Sequence, residues 1–139
     1  MMPNFTCSWN DATANWTTVA DWSSCNSTFP NNGAGNTFDA TIATGDPTLT
    51  SAITIGSVTV NSPGAWSITG TGSATLTGNL SNGGTVALGG TAALTVSSGF
   101  TNSGTLDVNA GTFDGGGSLM IGGTLANTGA TQILSLIHI

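Results

Sequence analysis

An Asn-x-Gly triplet recurs at Asn82-Gly83-Gly84, Asn102-Ser103-Gly104 and Asn127-Thr128-Gly129, in steps of 20 and 25 residues. This spacing constrains the fold more than any other feature of the chain. The apolar residues around each triplet keep one order. Leu80, Phe100 and Leu125 stand before it, while Val86 and Leu88, Leu106 and Val108, and Ile133 follow. A strand–turn–strand text at a period of roughly 20 to 50 residues predicts stacked coils, because one unit cannot close a core alone and its neighbours bury it. Glycine at the end of each triplet is expected to supply the corner with a positive φ. Spacing varies between Leu88 and Leu94 and between Val108 and Leu119, as loops on one side of a stack allow.

The same style begins upstream at about Thr48. Ile53 to Val60 nearly alternates, Asn61-Ser62-Pro63-Gly64 turns it, and Ala65-Trp66-Ser67-Ile68 resumes. Short alternating runs broken by turn residues are the signal of strands. Thr, Ser, Asn and 21 glycines dominate, and neither Glu nor Lys occurs, which is an all-β composition. No stretch approaches the roughly 18 apolar residues of a spanning helix. The expected fold is therefore an all-β parallel β-solenoid, or β-helix, with an N-terminal cap. The competing architecture is an antiparallel β-sandwich, in which the Asn-x-Gly turns would be hairpins. Residues 1–47, with both cysteines and three of the four tryptophans, are the expected cap, and the coils fill 48–133. An unpaired last coil would leave a strand edge open.

The two termini read differently. Met1-Met2-Pro3-Asn4 has neither the basic start nor the apolar run of a secretory signal. Leu134-Ser135-Leu136-Ile137-His138-Ile139 departs from the Gly/Thr/Asn text before it. In order, these residues match the translation of CTG TCT CTT ATA CAC ATC, which resembles the mosaic-end adapter of transposase-made sequencing libraries. Residues 134–139 are thus expected to be adapter-derived, against the alternative of a natural apolar last strand. His138, the one histidine, would then lie outside the natural chain.

Charge narrows the function. There is no lysine and no arginine, and six aspartates give a net charge of −6. A chain without cations cannot neutralise phosphates, the main source of nucleic-acid affinity. Attraction to anionic membranes fails for the same reason, and so does phosphoryl-transfer machinery built on Lys or Arg. Only 4% of residues are charged where about a quarter is usual, so hydroxyls and amides must solvate the surface. Neither a nucleic-acid partner nor membrane insertion by this segment is expected.

Trp9-Asn10-Asp11, Asn15-Trp16 and Asp21-Trp22-Ser23 are followed by Phe29-Pro30-Asn31-Asn32-Gly33 and Asn36-Thr37-Phe38-Asp39-Ala40-Thr41-Ile42. Together with the coils this opening resembles bacterial exported β-strand-repeat proteins of the autotransporter-passenger and surface-adhesin type. The resemblance spans residues 7–133, moderately specific in the tryptophan opening and weakly so in the coils. It implies a right-handed solenoid serving as a stalk or adhesive filament, outside the cell or on its surface. Host or matrix glycans, or other surface proteins, are the partners it suggests. The oligomeric state is not legible.

Cys7 and Cys25, 18 residues apart, lack the further ligands of a zinc site. A disulfide is expected over buried free thiols, and it would contribute about 3 kcal/mol and agree with an oxidising compartment. A catalytic cysteine would need a neighbouring histidine or cation. Trp9, Trp16 and Trp22 are expected to plug the open end of the stack, with a sugar-stacking surface as the alternative; Trp66 is expected in the core or at a coil edge.

Asp107 and Asp114 are the one carboxylate pair that raises action on glycosides, against an outward strand position for Asp107 and a glycine-turn position for Asp114. Polysaccharide lyases of this shape generally need a Lys or Arg base. Asp107-Val108-Asn109-Ala110-Gly111 lacks the later ligands of a calcium loop, and Asp114 with its three glycines does not match the calcium β-roll repeat. No metal or cofactor is expected. The Thr-x-Thr triplets at 48–50, 69–71 and 75–77 raise ice binding, but their spacing is irregular. The expected function is a non-enzymatic structural or adhesive segment. The alternative is the N-terminal part of a β-helical polysaccharide-acting enzyme or a carbohydrate-binding protein.

Overall fold

A computed structural model describes residues 2–108 and 117–133. Strands β1 (Asn4–Trp9) and β2 (Trp22–Ser23) belong to the N-terminal segment, with a short 3-10 turn, Val19–Asp21, between them. The coils follow as β3 (Thr37–Ile42), β4 (Thr48–Leu49) and β5 (Ala52–Ile55), then β6 (Val58–Val60), β7 (Ala65–Ile68) and β8 (Ser73–Leu76). Next come β9 (Leu80–Asn82), β10 (Thr85–Leu88) and β11 (Ala93–Val96), then β12 (Phe100–Asn102), β13 (Thr105–Val108) and β14 (Ser118–Ile121). Strands β15 (Leu125–Asn127) and β16 (Ala130–Ile133) open the last turn.

Each coil gives one strand to each of three sheets. Their spatial orders are β15-β12-β9-β6-β3-β1-β2, β16-β13-β10-β7-β4 and β14-β11-β8-β5. Neighbours are therefore one coil apart in sequence, and every coil-to-coil ladder is parallel. The sandwich fails on this point, since the strands on either side of an Asn-x-Gly triplet, such as β9 and β10, lie in different sheets. The molecule is a parallel β-solenoid.

Register follows the triplets. Leu80 pairs with Phe100 and Phe100 with Leu125; Trp66 pairs with Val86 and Val86 with Leu106. Strands β7, β8, β10 and β11 alternate half-buried and buried positions. Apolar residues take the inner places and Ser, Thr and Ala the outer ones. Burying each inner Val, Leu or Ile stabilises by roughly 1.5–3 kcal/mol, and only stacked neighbours can complete that burial. The longer step from Asn102 to Asn127 is taken up between β13 and β14; residues 109–116 there, and 134–139 with the expected adapter tail, lie outside the described residues.

Glycine at the corner acts through space, not torsion. Positive φ among glycines falls at Gly35, Gly45, Gly70 and Gly90, and the triplet glycines are not among them. A Cβ on Gly84 would collide with the Gly64 carbonyl oxygen, one on Gly104 with that of Gly84, and one on Gly129 with that of Gly104. Coils stacked at the ordinary strand spacing of about 4.8 Å leave no room for a side chain there.

The repeat also starts earlier than residue 48. Strand β3 stacks on β6 with Ala40 opposite Val58, and β1 stacks on β3 with Asn4 opposite Thr37. Thr37–Ile42 is thus a coil strand inside the segment expected to be cap.

Candidate functional site

The N-terminal segment closes all three sheets. Over the first sheet lies β1, and β2 pairs antiparallel on its other side through Ser8–Ser23 and Trp9–Trp22. At the second sheet, Trp16 N–H donates to the Thr48 carbonyl (2.8 Å) and Thr48 N–H to the Ala14 carbonyl (2.9 Å). At the third, Asn32 N–H donates to the Thr54 carbonyl (2.6 Å) and Thr54 N–H to Asn31 Oδ1 (2.9 Å). The cap is an irregular coil of its own, made from residues that cannot repeat.

A disulfide joins Cys7 of β1 to Cys25. Beside it the tryptophans stack inward from the end. Trp9 meets Trp22 edge-on at 4.9 Å between ring centroids, Trp22 meets Trp16 at 4.7 Å, and Trp16 meets Trp66 at 5.2 Å. Indole N–H groups in the cap are all used: Trp9 donates to Ala12 (2.9 Å), Trp16 to Pro30 (3.0 Å) and Trp22 to Trp16 (2.7 Å), each time to a backbone carbonyl. All four rings are buried. A sugar needs an open ring face, so Trp9, Trp16 and Trp22 do not form the stacking surface that their spacing raised as an alternative; they are core.

The triplet asparagines point inward as well. Asn82 and Asn102 are 1% and 0% exposed. Asn82 Nδ2 donates to Asn102 Oδ1 (2.7 Å) and Asn102 Nδ2 to Asn127 Oδ1 (2.8 Å). Asn82 Nδ2 also reaches the Thr105 carbonyl (2.8 Å), and its Oδ1 accepts from Gly84 N–H (3.1 Å). Each buried amide is satisfied by the coil above it, as burial of a polar group requires. Sequence reasoning gave these residues a turn role and missed the ladder. Their identical place in each repeat was the available signal.

Outer faces carry hydroxyls. Thr54, Thr75 and Thr95 align one per coil on the third sheet, with Met120 next in the row. The Thr-x-Thr triplets do not share a face. Thr48 lies in β4 of the second sheet and Thr75 in β8 of the third, whereas Thr69 and Thr71 lie between β7 and β8.

Three aspartates act as structural acceptors. Asp39 Oδ1 accepts from Ser57 N–H (2.6 Å) and its Oδ2 from Asn4 Nδ2 (2.9 Å), tying β1 to the coils. Asp46 accepts from Ser67 Oγ (2.9 Å) and Asp21 from Asn10 Nδ2 (3.0 Å). Asp107 sits on the outer side of β13 between Ala87 and Gln132; its Oδ1 is buried without a hydrogen-bond partner. Asp114 lies outside the described residues, as does most of the calcium-like stretch around Asn109. Among the described residues no three His, Cys, Asp or Glu side chains cluster as a metal site would require. No helix there is long and apolar enough to cross a membrane.

Fold and cap together define the class: a parallel β-solenoid closed at its N-terminal end by a disulfide-stapled tryptophan stack. No family model, curated protein or solved structure matches the chain.

Proposed function

We propose that the chain is a non-enzymatic structural or adhesive segment of an exported bacterial repeat protein, of the autotransporter-passenger or surface-adhesin type. The observation that carries this reading is the use made of its scarce charged groups. Asp21, Asp39 and Asp46 are tied into the cap and first coil as acceptors, and the outer rows of the coils are largely Thr, Ser and Ala. A surface of hydroxyls on a rigid rod offers many weak polar contacts to glycans or to other surface proteins. The Cys7–Cys25 disulfide supports residence outside the cytosol, where such bonds persist.

The test pairs localisation with binding. Tagged protein in its native host is expected at the cell surface, where external protease removes it, and to retain immobilised host or matrix glycans in a salt-insensitive way. Confinement to the cytosol, or no retention of any glycan or surface protein, would sink the reading. A polysaccharide-acting enzyme is the second reading, favoured by the unpartnered oxygen of Asp107. Hydrolysis of a polysaccharide that is lost in Asp107→Asn with the fold intact would establish it instead.

A further inference from the structure

The turn that carries Cys25 is held unlike the rest of the cap. Strand β2 ends at Ser23, and the backbone then enters the left-handed region at Ser24 (φ 57°), Asn26 (φ 54°) and Ser27 (φ 57°). None of the three is glycine. Asparagine visits that region readily, but for serine the crowding of Cβ against the backbone makes it costly. Such conformations persist only where the surrounding structure imposes them. Ser24, Asn26 and Ser27 are exposed, and of residues 23–27 Cys25 alone is buried. The left-handed positions are therefore not pinned by the packing of their own side chains.

Hydrogen bonds do not impose them either. Thr28 N–H donates to the Cys25 carbonyl (3.1 Å) inside the turn. Among the described residues no hydrogen bond joins residues 24–28 to another segment. The chain on both sides is anchored. Trp22 donates to the Trp16 carbonyl (2.7 Å) and its ring meets Trp9 and Trp16, while the Pro30 carbonyl accepts from Trp16 Nε1 (3.0 Å). Between these fixed points the bond from Cys25 to Cys7 is the one specific tie among the described residues. Cys7 is firmly placed, because it lies inside β1 opposite Ala40 of β3 and is fully buried.

We propose that residues 24–28 form a redox latch. In the oxidised chain the Cys7–Cys25 bond holds the turn in its left-handed form, closed over Cys7. On reduction the turn relaxes away from the cap, hinged at Trp22 and Pro30, and presents the Cys25 thiol to solvent. The tryptophan stack and the coils stay in place. A dithiol is the reductant: its two sulfurs join, and the two electrons and two protons it gives up leave Cys7 and Cys25 as thiols. The left-handed backbone belongs to the oxidised form alone, so its relief favours the thiols and makes this bond easier to reduce than one across a relaxed turn.

Reduction of the full chain with dithiothreitol, followed by iodoacetamide and mass spectrometry of the digest, tests this. Cys25 is expected to react within about tenfold of the rate of an unstructured cysteine peptide, with Cys7 slower and the β-sheet spectrum unchanged. A second measurement reads the backbone. Ser24→Gly combined with Ser27→Gly lets the turn keep its torsions without a Cβ, so equilibrium with a dithiothreitol redox pair is expected to shift about fivefold toward the disulfide. Cys25 that stays protected after reduction overturns the proposal. So does Cys7 reacting as fast as Cys25, since β1 would then have left with the turn. Loss of the β-sheet spectrum also overturns it, because the bond would then hold the whole fold. A glycine variant whose equilibrium is unchanged, or moves toward the thiols, removes the strained backbone as the driver and sinks the latch with it.

Discussion

At its N-terminal end the core row stops at Trp16, fully buried under Trp22 and Trp9; in the last described coil Leu125 is nearly half exposed. The interior of the stack is the same in kind at both places, with parallel ladders and apolar rows in register. What differs is the covering that the chain lays over the first coil, in residues that do not repeat. The capped end uses three tryptophans, both cysteines and two of the six aspartates, Asp11 and Asp21. A solenoid solves its interior by repetition, but an end must be closed by residues that do not repeat. The cost of an end is a property of the cap and not of the coil beneath it.

The sharpest way to break this comparison is to open the closed end. Trp16→Ala removes the ring that joins the cap to Trp66, and a buried Trp→Ala change costs about 4 kcal/mol. Chemical denaturation followed by tryptophan fluorescence measures it. A loss as small as that of an exposed substitution would mean that the cap does not hold the coils. Reduction of Cys7–Cys25 comes next, with an expected loss of about 3 kcal/mol from the freed unfolded chain. The denaturation midpoint with and without reductant reports it. An unchanged midpoint would show that the tryptophan stack suffices alone.

How much of this was legible follows from what each feature depends on. Triplets at 82, 102 and 127 are local text, and they yielded the parallel architecture and the inward places of Leu80, Val86, Phe100 and Leu106. The reason for Gly84, Gly104 and Gly129 was not local, because it lies in the approach of one coil's carbonyl to the next coil's backbone. Asn82 and Asn102 were read as turn residues, since an asparagine before glycine is ordinarily at the surface. Only the stacked register supplies the amide partner that makes its burial affordable. The cap's place was visible in its tryptophans and cysteines. The coil register of Thr37–Ile42 did not stand out because that run alternates like any strand, while Ala14 to Trp16 and Asn31-Asn32 cover their edges through backbone and side-chain bonds without a strand pattern.

The asparagine ladder lets a buried rung and an exposed one be compared with one residue type. Asn102 donates and accepts within the ladder, so Asn102→Ala leaves the Asn82 amide short of its acceptor and Asn127 Oδ1 without its donor. A loss of about 2 kcal/mol is expected, as for a buried group whose partner is removed. Asn127→Ala removes the rung in the last described coil, where the residue is exposed and water can replace it, and about 0.5 kcal/mol is expected. Paired urea titrations measure the difference. Equal losses would mean that the last coil is as well covered as the middle of the stack.

The two central indoles sharpen the contrast further. Trp16 and Trp66 lie 5.2 Å apart between ring centroids and both are fully buried. Trp16 Nε1 donates to Pro30, whereas Trp66 Nε1 has no acceptor. Phenylalanine removes the N–H and some volume at either position. At Trp16 both changes destabilise, because the Pro30 carbonyl loses its donor as the ring shrinks, and about 2 kcal/mol is expected. At Trp66 they oppose each other: a cavity term is set against relief of a buried donor that nothing satisfies, so the net change should stay within about 1 kcal/mol. Denaturation of the two variants side by side separates these outcomes. If Trp66→Phe costs as much as Trp16→Phe, the repeat side of this contact is as fully bonded as the cap side, and the division between them lies elsewhere than at these rings.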